Sequence, residues 1–208
     1  MLKAYASVLH AFYPVTFLFD DELVEDRIPE GVEAIVVPSA TFETERVRLA
    51  LERFAACGGL VILDSAAFSR DEHGRKTGKD VAGAVRYEGG SPNADKVLEL
   101  LAQAKVRKTA ELVPMDGKGP LLLADVQVIE RENLKLVLCV DYSPNGDVSR
   151  RVRLSLPVRN DGWRIRDVIS GRQLLTSAGE PTWSADDLAK GVEIEIPNQQ
   201  RVLIAFER

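Results

Sequence analysis

The chain has 208 residues, of which 45% are hydrophobic, and carries 32 acidic and 27 basic side chains for a formal net charge of −5. This balance favours solubility but gives no field that attracts phosphate backbones or anionic lipid, so we expect no nucleic-acid partner and no membrane partner. The two cysteines, Cys57 and Cys139, both lie in apolar patterns, which predicts buried free thiols and argues against a zinc site or a disulfide scaffold. No run of roughly 18 apolar residues and no signal-peptide pattern occur, so we expect a cytoplasmic location.

The first half of the chain has the pattern of an α/β domain. Apolar positions at helical spacing predict helices, and short apolar runs predict strands between them. The predicted helices are 2–12, 41 or 44 to 54, and 93 or 95 to 104, and the predicted strands are 15–19, 34–37, 60–63 and 84–87. The strand runs are continuously apolar, which is typical of a parallel sheet covered by helices on both faces.

After Pro114 the pattern changes to alternating apolar and polar residues. Six such runs are separated by turn-forming residues, and the turns at 144–146 and 160–162 contain the glycines that hairpins need. The predicted strands are 121–130, 134–142, 149–157, 163–167, 191–196 and 201–206. The sequence therefore predicts an α/β domain at 1–113 and an all-β antiparallel sandwich at 114–208.

Polar side chains follow the predicted parallel strands. They are Asp20, Ser39, Asp64 and Ser65, and ligands of open parallel sheets bind beyond the carboxyl ends of the strands. These groups could converge on a small polar substrate or a metal, or they could simply end strands and cap helices. Ser65 lacks the flanking glycines of a Gly-x-Ser-x-Gly nucleophile elbow.

Three adjacent residues, Asp71, Glu72 and His73, form the other polar cluster. They could bind a ligand or a cation, or they could be a solvated loop. In the second half, Trp163 is expected in the core, whereas Trp183 lies among polar residues and could be exposed for stacking on a sugar. We expect no catalytic residue, metal or cofactor in this chain.

The strand runs and their flanking residues also carry a family resemblance. The stretches concerned are 15–23, 33–40, 54–61 and 71–74 in the first half, and 141–143, 152–156, 167–171 and 202–206 in the second. The first set resembles the glutamine-amidotransferase-like domain that follows the catalytic barrel in many glycoside hydrolases, best known as the trimerisation domain of bacterial β-galactosidases. The second set is similar to the β-sandwich that closes such enzymes. The resemblance implies a flavodoxin-like (class I glutamine-amidotransferase-like) first domain.

The resemblance brings no catalytic residue with it. The position of the amidotransferase cysteine holds Asp64 and Ser65, and glycosidase carboxylates lie on a barrel that this chain does not contain. The related domains also open with a strand that is central in the sheet, whereas this chain starts in a helix. Either 15–19 pairs directly with 34–37, or another chain supplies the strand, or the polypeptide is a piece of a longer protein.

Three functional hypotheses follow. The leading one is a non-catalytic accessory or oligomerisation region of a glycoside hydrolase of β-galactosidase type, as a homo-oligomer or in association with a catalytic barrel domain. The second is a small-molecule hydrolase or binding protein with its site at the strand ends. The third is a carbohydrate-binding module that uses the β-sandwich, with carbohydrate as its partner.

Overall fold

The computed structural model describes residues 2–38, 40–77, 80–87, 94–117, 121, 124–142, 149–158, 160–197 and 201–208. The chain forms two compact units, of which the first comprises Met1–Ala11 and Val15–Arg107 and the second comprises Phe12–Pro14 and Lys108–Arg208. None of the helices formed by the described residues has the length and apolar character needed to cross a membrane.

The first unit is an α/β structure built on a parallel sheet. Its elements in chain order are α1 (Leu2–His10), α2 (Asp20–Val24), β1 (Ala34–Val37), β2 (Phe42–Glu43), α3 (Glu45–Ala56), β3 (Leu60–Asp64), β4 (Arg70–Asp71), β5 (Val85–Tyr87) and α4 (Ala94–Gln103). The main sheet has the order β1-β3-β5 with all strands parallel, and β2 and β4 form a separate small parallel pair. The predicted strands at 34–37, 60–63 and 84–87 are thus confirmed to within a residue.

Both faces of this sheet are covered. Val61 and Leu63 on β3 pack in one core with residues of α2 and α3, including Leu51, which is fully buried. Ile62 lies between them and so points to the opposite face, where it is also fully buried. The remaining helices, α1 and α4, pack on each other. The strands are continuously apolar because both faces of the sheet are buried.

The predicted strand at 15–19 is wrong. These residues have no regular structure, and Val15, Phe17 and Phe19 are 36%, 61% and 68% exposed. Residues 15–19 have the composition of a strand, but no strand formed by the described residues pairs with them. The Phe17 ring instead stacks on Tyr5 of α1, with the ring centroids 5.2 Å apart.

The second unit is β-rich and antiparallel. Its elements are β6 (Glu111–Pro114), β7 (Ala124–Arg131), β8 (Leu134–Asp141), β9 (Arg150–Ser155), β10 (Trp163–Asp167), β11 (Gln173–Leu174), β12 (Thr182–Trp183), α5 (Ala185–Lys190), β13 (Val192–Ile196) and β14 (Arg201–Glu207). One sheet has the order β11-β10-β14-β8-β7 with β12 also paired to β10, and the other has the order β13-β9-β6. Residues of both sheets share one apolar core, among them Val152, Ile194, Val137 and Phe206.

Two local features differ from the sequence expectations. Residues 108–113, which the sequence assigns to the first domain, lie in the second unit because β6 pairs with β9 and Leu112 is buried in its core. Cys57 is exposed rather than buried, since it follows α3 as its C-cap, whereas Cys139 is buried as expected.

Candidate functional site

The carboxyl ends of β1, β3 and β5 meet at one edge of the parallel sheet, where Asp64 is the most buried acid. Asp64 is 4% exposed, and its Oδ1 accepts a hydrogen bond from the backbone N–H of Ala66 at 2.9 Å. Its backbone carbonyl accepts a bond from the N–H of Ala67 at 3.1 Å. The carboxylate therefore stabilises the turn that follows the strand, which is the structural role left open by the sequence.

The hydroxyl and acid expected beside Asp64 do not complete a reactive centre. Ser65 lies in an exposed turn without a positive φ, so it lacks the strained backbone of a nucleophile elbow. Asp20 is the exposed first residue of α2, where a carboxylate stabilises the positive end of the helix dipole. Ser39 lies outside the described residues.

Arg86 on β5 forms hydrogen bonds across the carboxyl end of the sheet, and the sequence analysis did not single it out. Its guanidinium donates to the backbone carbonyl of Asp64 at 3.0 Å and to that of Ala67 at 2.9 Å. It also pairs with Asp80 at 2.8 Å, and this hydrogen-bonded guanidinium lowers the pKa of the Asp80 carboxyl. The one signal for Arg86 is a charged residue inside a short apolar run, which is too weak to assign a role.

Tyr87 lies directly opposite Asp64 in the strand register and is 2% exposed. Burial, with a smaller contribution from the Asp64 charge, raises the pKa of the phenol above its ordinary value. Within the described part of the chain the hydroxyl has no hydrogen-bond partner. The strand ends thus bring together a carboxylate, a guanidinium and a neutral phenol, of which the first two bond to the surrounding backbone.

Asp71 organises its own loop. Its Oδ1 accepts from the backbone N–H groups of His73 and Arg75, each at 2.9 Å, and its Oδ2 accepts from the Arg75 guanidinium at 2.7 Å. Desolvation acts to raise the pKa of Asp71, but these hydrogen bonds outweigh it and lower the pKa. Glu72 and His73 are exposed, with Oε1 and Nε2 3.6 Å apart. In the ranges that the structure describes, no three acidic, histidine or cysteine side chains are grouped to hold a metal ion.

Trp183, expected at the surface, is buried at 6% exposure. Its strand pairs with β10, which places it opposite Trp163, and its indole N–H donates to the Leu174 carbonyl at 3.0 Å. The expected stacking platform is therefore wrong, because strand pairing turns the ring into the core.

A cleft of about 740 Å³ lies beside Trp183 in the second unit. Its walls come from residues 173–177 and from the start of β13, and three cationic side chains, Arg153, Arg172 and Lys190, line it. Leu175 at its edge is 52% exposed. The cleft offers amide, hydroxyl and cationic groups and the carboxylates of Asp187 and Glu193 around a small apolar surface.

Comparison with known proteins places this fold. No protein-family model and no curated protein matches the chain. Among solved structures, a GH42 exo-carrageenase from Bacteroides ovatus is 18% identical, with a TM-score of 0.58 over 99% of this chain and 26% of its own. Gan42B, a GH42 β-galactosidase from G. stearothermophilus, is 11% identical, with a TM-score of 0.67 over 100% of this chain and 36% of its own. A β-galactosidase from Bacillus circulans sp. alkalophilus is 11% identical, with a TM-score of 0.62 over 99% and 37%.

The similarity is one of fold. This chain, an α/β unit followed by an antiparallel β unit, spans 26–37% of the length of these three proteins. The chain therefore has the fold of a portion, about a quarter to a third, of these glycoside hydrolases.

Proposed function

We propose that this chain is a non-catalytic accessory region of a glycoside-hydrolase assembly, whose catalytic carboxylates lie on a separate barrel. The observation that carries the proposal is the match of the whole chain to about a third of several such enzymes. The site residues support it, because Asp64 and Asp71 stabilise turns and Ser65 has no activating geometry.

In this proposal the first unit is a flavodoxin-like domain of the glutamine-amidotransferase type. Its helices support the assignment, since α2 and α3 share a core with β3 on one face of the sheet, while α1 and α4 pack on each other. Its function is assembly, either with further copies of the chain or with a polypeptide that carries the barrel. Two cysteines that remain free fit the reducing cytoplasm as its setting.

Two measurements on the purified chain test the proposal. Light scattering at micromolar concentration is expected to give a mass above the 22.9 kDa of one chain. When the chain is mixed with a barrel protein, the expected mass is above that of either protein alone. Nitrophenyl glycosides, including the β-galactoside, are expected to release no nitrophenol. Turnover by the chain alone would refute a non-catalytic role, and a monomer that stays monomeric with every partner tested would refute the assembly role.

The cleft in the second unit supports a second candidate, a carbohydrate-binding role. Its volume of about 740 Å³ suits a mono- or disaccharide, although the aromatic platform usual in such sites is buried here. Calorimetric titration with galacto-oligosaccharides separates the two candidates. The heat of binding is compared for a matched pair of variants, Arg172→Ala in the cleft and Arg164→Ala at an exposed position outside it.

A further inference from the structure

The cleft of about 740 Å³ in the second unit has more cations than acids in its lining. The chain as a whole is acidic, with a formal net charge of −5. The cationic side chains of the lining are Arg153, Arg172 and Lys190, and the carboxylates are Asp187 and Glu193. A concave surface with a surplus of one charge raises the local concentration of ligands of the opposite charge.

Both carboxylates of the lining already have partners. Asp187 accepts a hydrogen bond from the Ser184 hydroxyl at 2.7 Å through Oδ2, and one from the Lys190 ammonium at 3.4 Å through Oδ1. Glu193 accepts one from Nη2 of Arg151 at 3.5 Å, through Oε2. Asp187 therefore offsets Lys190, and the hydrogen bond of Glu193 goes to Arg151, which is not among the lining residues of this cleft.

Arg153 and Arg172 keep their guanidinium donors available to a ligand. The guanidinium of Arg153 stands 3.7 Å from Oε1 of Glu193, which is longer than a hydrogen bond. In the described part of the chain, neither guanidinium donates to an acceptor. Asp167, whose charge interacts with that of Arg172, has its oxygens bonded to Ser170 and to the backbone of its own turn. The fork of a guanidinium matches an oxyanion through parallel N–H groups.

Gly191 gives Arg153 a defined place at the cleft. A Cβ at position 191 would lie 2.4 Å from Cγ of Arg153 and 2.7 Å from Oγ of Ser155, so a larger residue would collide with the arginine stem. Gly191 also has a φ of +93°, in the left-handed region that glycine tolerates. Because the Arg153 stem packs against this backbone, its guanidinium loses less freedom when it binds a ligand.

Uncharged hydrogen-bonding groups complete the lining. The Gln173 amide and the Ser177 hydroxyl both belong to it, and neither side chain is bonded to another group of the described residues. Trp183, the one aromatic residue of the described lining, is 6% exposed. It therefore offers no open ring face on which a neutral sugar could stack. The cleft offers charge and hydrogen bonds instead.

We propose that this cleft binds an anionic saccharide, with Arg172 and Arg153 binding its carboxylate or sulfate group and Gln173 and Ser177 binding its hydroxyls. The saccharide rests on the carbohydrate-binding role proposed above, whereas the anion follows from the charges of the lining. A volume of about 740 Å³ accommodates one or two sugar rings.

The test is calorimetric titration of the full chain at low ionic strength, where charge interactions are least screened. The probes are galactose 6-sulfate, galacturonic acid, galactose and inorganic sulfate. We expect galactose 6-sulfate or galacturonic acid to bind at least about tenfold more tightly than galactose, because hydrogen bonds to an ionised group are roughly twice as strong as neutral ones. The tighter of the two identifies the anion as a sulfate ester or a carboxylate.

Variants locate the binding in the cleft. Arg172→Ala and Arg153→Gln are each expected to weaken the anionic sugar about tenfold or more, and Arg172→Lys to weaken it less, since lysine keeps the charge and loses the fork. Arg164→Ala removes the same charge from an exposed position outside the cleft and is expected to keep wild-type affinity. The urea midpoint from tryptophan fluorescence checks that each variant is folded.

Each contrary result has its own meaning. Equal affinity for galactose and for both acidic sugars overturns the anion and leaves the carbohydrate-binding role standing. Inorganic sulfate that binds as tightly as galactose 6-sulfate shows a site for a bare anion and overturns the saccharide. Full affinity in both Arg172→Ala and Arg153→Gln overturns the assignment of these two residues. If no probe binds, the inference and the carbohydrate-binding role both fail, and the accessory role is still decided by light scattering.

Discussion

Replacing Arg150 by methionine is expected to destabilise the second unit strongly. The Arg150 guanidinium makes a two-point contact with Asp116, Nε to Oδ2 at 2.7 Å and Nη2 to Oδ1 at 3.3 Å. The two side chains are only 4% and 8% exposed. Arg150→Met leaves a carboxylate in the core without its guanidinium partner, which costs about 3–5 kcal/mol. A unit of this size has a free energy of unfolding of roughly 5–10 kcal/mol, so the loss is a large fraction of the whole.

Tryptophan fluorescence during urea unfolding measures this effect selectively, because both tryptophans of the chain, Trp163 and Trp183, are buried in the second unit. With a denaturant slope of about 1.5 kcal/mol per molar urea, the midpoint is expected to fall by about 2–3 M. Arg151→Met is the matched control: its neighbouring pair with Glu193 is 3.5 Å long and well exposed, and it is worth about 0–1 kcal/mol.

A compensating change in the partner separates the loss of charge pairing from the loss of packing. Combining Arg150→Met with Asp116→Leu removes both charges and is expected to recover most of the lost stability. If Arg150→Met unfolds at the same urea concentration as Arg151→Met, then the buried pair does not stabilise the unit and the reasoning fails.

Two further predictions concern single core positions. Leu51→Ala removes a fully buried side chain of α3 and is expected to lower the free energy of unfolding, followed by helical circular dichroism, by about 2–5 kcal/mol. The control is Leu49→Ala on the same helix, where the side chain is 43% exposed and the loss is less than about 0.5 kcal/mol. Equal losses would contradict the assignment of the core face. Burial, aided by the Asp125 charge, raises the pKa of the Cys139 thiol to about 12 from an ordinary 9.0. Because the pKa is higher in the folded state, the stabilisation that the protonated thiol contributes is fully present below pH 9. It is lost as the pH rises toward 12, and the free energy of unfolding falls by up to about 1.4 kcal/mol per pH unit. The free energy of unfolding of Cys139→Ala should lack this pH dependence. Identical pH profiles for the variant and the wild type would refute the prediction.

Parallel strands of this chain were predictable where local pattern and tertiary pairing agree. Ala34–Val37 and Leu60–Asp64 are continuously apolar, and each finds a neighbouring strand. Residues 15–19 have the same pattern and are not a strand. A strand forms only where its backbone pairs with a second strand, and the local sequence does not show whether that second strand is present. The wrong prediction at 15–19 therefore has a physical cause, which is that no strand of the described residues pairs with this segment.

Side-chain environment was harder to predict than strand position. Trp183 has proline, threonine and serine around it, which favours a surface position, yet pairing of its strand with β10 buries it opposite Trp163. Asp64 and Asp71 were singled out as ligand-binding candidates, and in the structure their carboxylates accept hydrogen bonds from backbone N–H groups of the following turn. Sequence pattern locates such carboxylates; the direction of the neighbouring backbone decides what they do.

One edge of β1 pairs with no strand of the described residues, and the strand carries none of the features that usually protect such an edge. Soluble proteins usually protect an exposed strand edge with a lysine, a proline or a bulge, because unpaired peptide groups on an apolar strand promote association. Ala34–Val37 has no charged residue, no proline and a regular register with β3. In the same unit Val15, Phe17 and Phe19 are exposed. An apolar edge without this protection, in a unit that also exposes aromatic side chains, is a site prone to association.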